Sequence, residues 1–177
     1  KVTHSMHKGI KRYPVGGVVL FGKNIKNPVQ TRTLIKDLRA ASSIRLIIAV
    51  DEEGGTVARL ANNPEMQVKN VGNMCQVNSS TRAYLAGHRI GKYLRDYDFD
   101  MDFSPVADVL VNPENKLVNK RSFGSNAENC GIYAKEYIKG LHDYGIMSTV
   151  KHFPGHGGWE ADSHIGLSES LATLEDL

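Results

Sequence analysis

The chain has 177 residues, enough for one domain with a single core, and its 41% hydrophobic and 23% charged composition is ordinary for a globular protein. No apolar run reaches the about 18 residues that a membrane-spanning helix needs, and residues 1–10 lack the apolar segment of a signal peptide. Net charge is +3, with ten Lys/Arg and one acid, Asp37, in residues 1–50 and an acidic excess after them.

That basic stretch reads as a solvated helix face, not a nucleic-acid surface. Lys36 and Arg39 alternate with Leu34, Ile35 and Leu38, and no aromatic stacking platform is interleaved. Cys75 and Cys130 are too few for a disulfide framework, lack metal-ligand spacing and are expected to be free thiols.

Four strands alternating with three helices are predicted. Gly17–Phe21 is a short apolar strand. Asn27 caps a helix with Pro28 at its first position and Leu34, Leu38 and Ala41 on one face, ending near Ser43. Leu46–Val50 is apolar throughout, as suits a parallel strand covered on both faces. Residues 51–78 read as one long loop containing Asn62-Asn63-Pro64. Ser79 or Ser80 opens a second helix with Ala83, Ala86, Ile90, Leu94 and Tyr97 on its apolar face. Phe99–Val106 is a third strand. Ser125-Asn126-Ala127-Glu128 has the pattern of a capping box before a third helix with an Ala134, Ile138, Leu141 stripe and Gly145 just past its end. Ile146–Val150 is the fourth strand, and Ser170–Leu177 resembles the first turns of another helix. This order argues for an α/β fold with a parallel sheet.

Polar groups gather where strands two, three and four end, which is the ligand-binding face of parallel α/β folds. Strand two runs into Asp51-Glu52-Glu53-Gly54-Gly55, with Arg59 beyond. Strand three ends near Asp102 and Asp108, with Arg121 in the following loop. Strand four runs into Lys151-His152-Phe153-Pro154-Gly155-His156-Gly157, then Asp162-Ser163-His164. Gly54-Gly55 lacks the spacing of a phosphate-binding loop and reads as a tight turn. Asp51 suits either a ligand hydroxyl or a cap, and Arg59 and Arg121, each taken alone, suit surface ion pairs. His152, His156, Asp162 and His164 include zinc-ligand types. Pro154 and Gly155 break the helix that would put His152 and His156 on one face, so no metal and no cofactor is expected. In Asp162-Ser163-His164 the carboxylate can fold back onto the imidazole, fix its tautomer and leave the other nitrogen to exchange a proton.

The constellation as a whole resembles the signature of glycoside hydrolase family 3 β-N-acetylglucosaminidases. The resemblance rests on Lys151–Gly157 with Asp162-Ser163-His164, on Val50–Leu60, on Gly16–Phe21, on Phe103–Asp108 and on Arg121-Ser122-Phe123, in the family's order. It implies a TIM barrel, (β/α)8, incomplete here with about four βα units, so that residues 1–177 would be part of a catalytic barrel domain. It implies retaining hydrolysis of terminal, non-reducing β-linked N-acetylglucosamine in peptidoglycan fragments or chitin-type oligosaccharides, a carbohydrate partner and no nucleic acid. By the same resemblance, Asp51, Arg59, Arg121, Lys151 and His152 bind the sugar, His164 is the general acid/base and Asp162 polarises it.

The resemblance places the nucleophilic aspartate on a later strand, and no residue up to Leu177 matches it. The chain is therefore expected to be a fragment that does not hydrolyse a chromogenic β-N-acetylglucosaminide alone. A non-catalytic sugar-binding module and another family 3 β-glycosidase are the alternatives. The natural leaving group stays open, as does the compartment, cytoplasmic or exported.

Overall fold

A computed structural model describes residues 2–158. Its core is a parallel sheet of four strands backed by helices. Helix α1, His4–Arg12, comes first; it was not foreseen and buries no residue. Strand β1 is Gly17–Leu20, helix α2 is Pro28–Ala41 and strand β2 is Ile47–Val50. A short antiparallel hairpin follows, β3 (Glu52–Gly54) and β4 (Val57–Ala58). Helix α3 is Ser80–Asp96, β5 is Met101–Asp102, α4 is Ala127–His142 and β6 is Met147–Ser148. The sheet order is β1-β2-β5-β6, every pair parallel. The fold is thus mixed α/β, as the alternation implied.

The helix starts follow from their caps. Asn27 Oδ1 accepts the Gln30 N–H at 2.9 Å, and Ser79 Oγ accepts that of Arg82 at 3.3 Å. The capping box at 125–128 is a correction: Asn126, not Ser125, is the cap, and its Oδ1 accepts the Asn129 N–H at 2.9 Å. The expected strand 99–106 is also shorter, Met101–Asp102, and Pro105 has no N–H to carry the ladder further. Beyond Asp102 the chain stays beside β6 through isolated bonds, Thr149 N–H to the Ser104 carbonyl at 3.2 Å and Ala107 N–H to that of Lys151 at 2.8 Å.

Strand alternation gives the sheet two unlike faces. Val18, Leu20, Ile48, Val50 and Asp102 share the side packed on the helices, where Ile35, Leu38, Ile90, Leu94, Tyr137 and Leu141 fill the core. Val19, Ile47, Ala49, Met101 and Met147 share the other. There Val19, Ile47 and Met147 remain 38%, 39% and 42% exposed. Helices α3 and α4 approach closely through glycine: a Cβ on Gly87 would run into the Tyr137 carbonyl, and one on Gly140 into the Tyr84 carbonyl.

Arginines tie the units together at the end of the sheet where the strands begin. Arg32 of α2 donates to the Asp96 carbonyl at 3.0 and 3.1 Å, and Arg39 donates to that of Asp98 at 2.7 Å, where α3 ends. Arg95 of α3 repeats the arrangement on the chain leaving α4, donating to the carbonyls of Tyr144 at 2.8 Å and Gly145 at 2.7 Å. Each guanidinium thus meets the negative end of the next helix.

Candidate active site

Asp51 follows the last residue of β2 and by alternation shares the open face with Ala49. The chain then turns sharply. Gly54 and Gly55 hold φ of 94° and 57°, a backbone that other residues rarely adopt, and this brings Arg59 back over Asp51. Lys151 arrives from the line of β6, bridged to Val106. Arg121 arrives from the loop between β5 and α4.

The side chains form one alternating network of charges. Arg59 Nη2 lies 3.5 Å from Asp51 Oδ2. Lys151 Nζ lies 2.8 Å from Asp51 Oδ1 and 2.5 Å from Glu53 Oε1. Arg121 grips Glu53 with two parallel bonds of 2.8 Å, the bidentate form that suits a guanidinium. Its Nη2 also lies 3.2 Å from His152 Nε2. On the other side of the imidazole, Nδ1 meets Asp108 Oδ2 at 2.5 Å. An arginine N–H requires a lone pair, so the tautomer that satisfies both partners carries its proton on Nδ1, toward Asp108.

These pairs are not solvent-screened surface bridges. The Glu53 and Asp108 side chains are 1% and 0% exposed, and Arg121 is 12% exposed. Reading Arg121 alone as a surface ion pair therefore fails. Burial lowers the Arg121 guanidinium's affinity for its proton, but the Glu53 carboxylate more than offsets this and leaves it raised. Burial pushes Asp108 up, yet its bonds to His152 and to the His156 N–H, the latter at 2.7 Å, hold it below the ordinary aspartate value. Its grip on His152 therefore persists through neutral pH and is lost only as pH falls through that depressed value. Three carboxylates and three cations largely withdrawn from water are a poor route to stability, and such a cluster is a candidate ligand site.

The structure brings together Asp51, Arg59, Arg121, Lys151 and His152. Asp162 and His164 lie outside the described residues. Among the described residues, no three His, Cys, Asp or Glu side chains are grouped to hold a metal, and no helix is long and apolar enough to cross a membrane. The sequence reading assigned no role to Glu53 or Asp108. Each is the hub between two cations or between an imidazole and a loop, and a run of two glutamates after a strand was the available signal for Glu53.

Asp102 takes a different place. Its parity puts it on the helix side of the sheet with Val50, fully buried, where burial raises its carboxyl from 3.8 to about 7. A raised acid binds its proton more tightly in the folded state, so stability falls as pH rises from the ordinary aspartate range to about 7 and then levels. Asp102→Asn should flatten that slope. In urea unfolding, the variant's stability relative to wild type should improve between pH 5 and pH 8 by on the order of 2–4 kcal/mol. An equal difference at both pH values would count against it.

A network of fixed donors and acceptors at the strand ends suits a neutral, many-hydroxyl ligand. Comparison with known proteins places the chain in a family. The family model of the glycosyl hydrolase family 3 N terminal domain matches residues 1–177. A beta-hexosaminidase of Pseudomonas aeruginosa is 35% identical over 173 residues, covering 95% of this chain and 50% of that protein. Beta-hexosaminidase A of Pseudoalteromonas piscicida is 36% identical over 168 residues, 89% of this chain and 28% of that protein. The chain thus spans half or less of these relatives. Among solved structures, native NagZ from Neisseria gonorrhoeae superposes with a TM-score of 0.86 at 31% identity, covering 99% of this chain and 53% of that one. A family 3 beta-N-acetylglucosaminidase from Paenibacillus sp. superposes with 0.84 at 34% identity, covering 93% of this chain and 32% of that one.

Proposed function

Since the chain belongs to glycosyl hydrolase family 3 through its N-terminal domain, we propose that the protein carrying it is a retaining exo-β-N-acetylglucosaminidase. Its substrate class is a glycan ending in non-reducing β-linked N-acetylglucosamine, from peptidoglycan fragments or chitin-type oligosaccharides. We take residues 1–177 as part of the catalytic barrel domain. The four parallel strands, with an apolar second face left exposed, support their being about half of a (β/α)8 barrel.

The observation that carries the reading is the convergence of Asp51, Arg59, Arg121, Lys151 and His152 from separate segments on one network at the strand ends. In it the carboxylates accept from sugar hydroxyls, the cations donate around the ring, and the imidazole accepts at Nε2. In the first step a carboxylate oxygen of an aspartate, expected on a later strand, bonds to the anomeric carbon. The glycosidic C–O bond breaks, and His164 gives its proton to the departing oxygen. In the second, His164 takes a proton from water, whose oxygen replaces the carboxylate at the anomeric carbon. Asp162 steadies the imidazolium in both. The grip is drawn from strand ends and the proton from a later stretch of the sequence, so the two can be set independently.

The test uses the full-length protein with p-nitrophenyl β-N-acetylglucosaminide and the β-glucoside in parallel, following the first anomer released by NMR. Preferred cleavage of the N-acetylated substrate with initial β-anomer is expected. No release, a preference for the glucoside, or initial α-anomer would overturn the reading.

A further inference from the structure

Beneath the sugar-facing network lies a second polar cluster with no access to a ligand. Glu52 and Asp102 are both wholly buried on the helix side of the sheet. Asp102 Oδ1 accepts the Glu52 N–H at 2.8 Å, and Oδ2 accepts the Ser104 hydroxyl at 2.6 Å. That N–H belongs to the peptide between Asp51 and Glu52, just where β2 leaves the sheet. The start of β2 is held alike, with Asp100 accepting the Ile48 N–H at 2.8 Å.

The Glu52 side chain continues the line. Oε2 accepts the N–H of Arg59 at 2.6 Å and of Leu60 at 2.7 Å, while Oε1 accepts that of Ala61 and the Tyr93 hydroxyl, both at 2.9 Å. One buried line of hydrogen bonds therefore runs from β5 to the backbone between Asp51 and Glu53, and on to the backbone of Arg59. Those three residues supply the Asp51–Arg59 pair and the Glu53 hub.

We propose that Asp102 and Glu52 are positioning residues for sugar binding, a buried relay that holds Asp51, Glu53 and Arg59 in register with their partners. The proposal rests on the reading of the network as a sugar site. It separates neighbouring acids by job: Asp51 and Glu53 face the ligand side, whereas Glu52, between them in sequence, holds the hairpin. The relay makes its contacts before any ligand arrives, so its loss weakens binding more than the chemical step.

The test uses the full-length protein and p-nitrophenyl β-N-acetylglucosaminide. Asp102→Val removes both acceptors at similar volume and is expected to raise KM about tenfold or more, with kcat within about threefold of wild type. Asp102→Asn keeps an acceptor for Glu52 N–H and offers a donor to Ser104, and is expected to keep KM within about twofold of wild type. An unchanged KM in Asp102→Val, or an Asp102→Asn variant as impaired as Asp102→Val, would overturn the proposal. Should Asp102→Val not yield folded protein, Glu52→Gln carries the test. Its amide nitrogen must face donors, so the same KM rise is expected and an unchanged KM overturns the relay. A wild-type protein that does not act on the substrate overturns the functional reading instead.

Discussion

Replacing Lys151 by Met in the full-length protein should reduce kcat/KM toward a β-N-acetylglucosaminide by about 10²–10³-fold, or ~3–4 kcal/mol. Among the described residues, Lys151 Nζ is the only cation that pairs with both Asp51 and Glu53, at 2.8 and 2.5 Å, and its side chain is 15% exposed. Methionine fills much of the same volume but leaves two carboxylates facing each other with less positive charge between them. Both are expected to shift away from their present positions, and Asp51, which keeps only the 3.5 Å contact to Arg59, shifts further. Lys151→Arg should not restore activity, because a planar fork cannot stand in for a point charge between two carboxylates on different residues. Steady-state kinetics at several pH values decides the matter: a Met variant within threefold of wild type would remove Lys151 from the sugar grip.

His164→Ala should separate substrates by their leaving groups. Loss of a general acid costs about 10²–10⁴-fold where the departing oxygen needs a proton, and far less for a dinitrophenolate that leaves unaided. An alkyl or oligosaccharide β-N-acetylglucosaminide should therefore lose most of its turnover, while an activated aryl glycoside keeps its first step and slows only where water must be deprotonated. Parallel Brønsted plots for wild type and variant read this directly. Equal losses across the series would take the proton-donor role from His164.

Much of the scaffold was readable in the residues because it is set locally. Asn27 with Pro28, Ser79 and the apolar stripes of α2 and α3 state their helices in a few positions. The tight turn was legible in the Gly54-Gly55 pair, yet the hairpin it closes was not. Strands β3 and β4 are three and two residues long, too short to show a period, and they exist because Glu52 gathers the backbone of residues 59–61 from across the turn. Helix α1 was missed for a different reason: none of its residues is fully buried, and Ile10 is its one apolar side chain packed against the core, too little to show a stripe. In the site, residues of extreme chemistry at strand ends were easy to see, as with Asp51, Lys151 and His152. Their partners were not, because partnership depends on parity and on long-range closure. Asp51 and Asp102 both follow apolar strand residues. Only the register of β2 against β5 shows that one belongs to the open face and the other to the sheet–helix layer.

The arginine clasps at the far end of the sheet divide the molecule's duties. Arg32 and Arg39 key the second unit to the first, and Arg95 keys the third to the second, through main-chain carbonyls, to which Arg39 adds the Asp100 carboxylate. Main-chain oxygen is present whatever side chains evolve, so the joint between successive units is indifferent to changes on the opposite rim. A lineage can rewrite the loops at the strand ends, and so change which ligand is accepted, without renegotiating how one unit is fastened to the next.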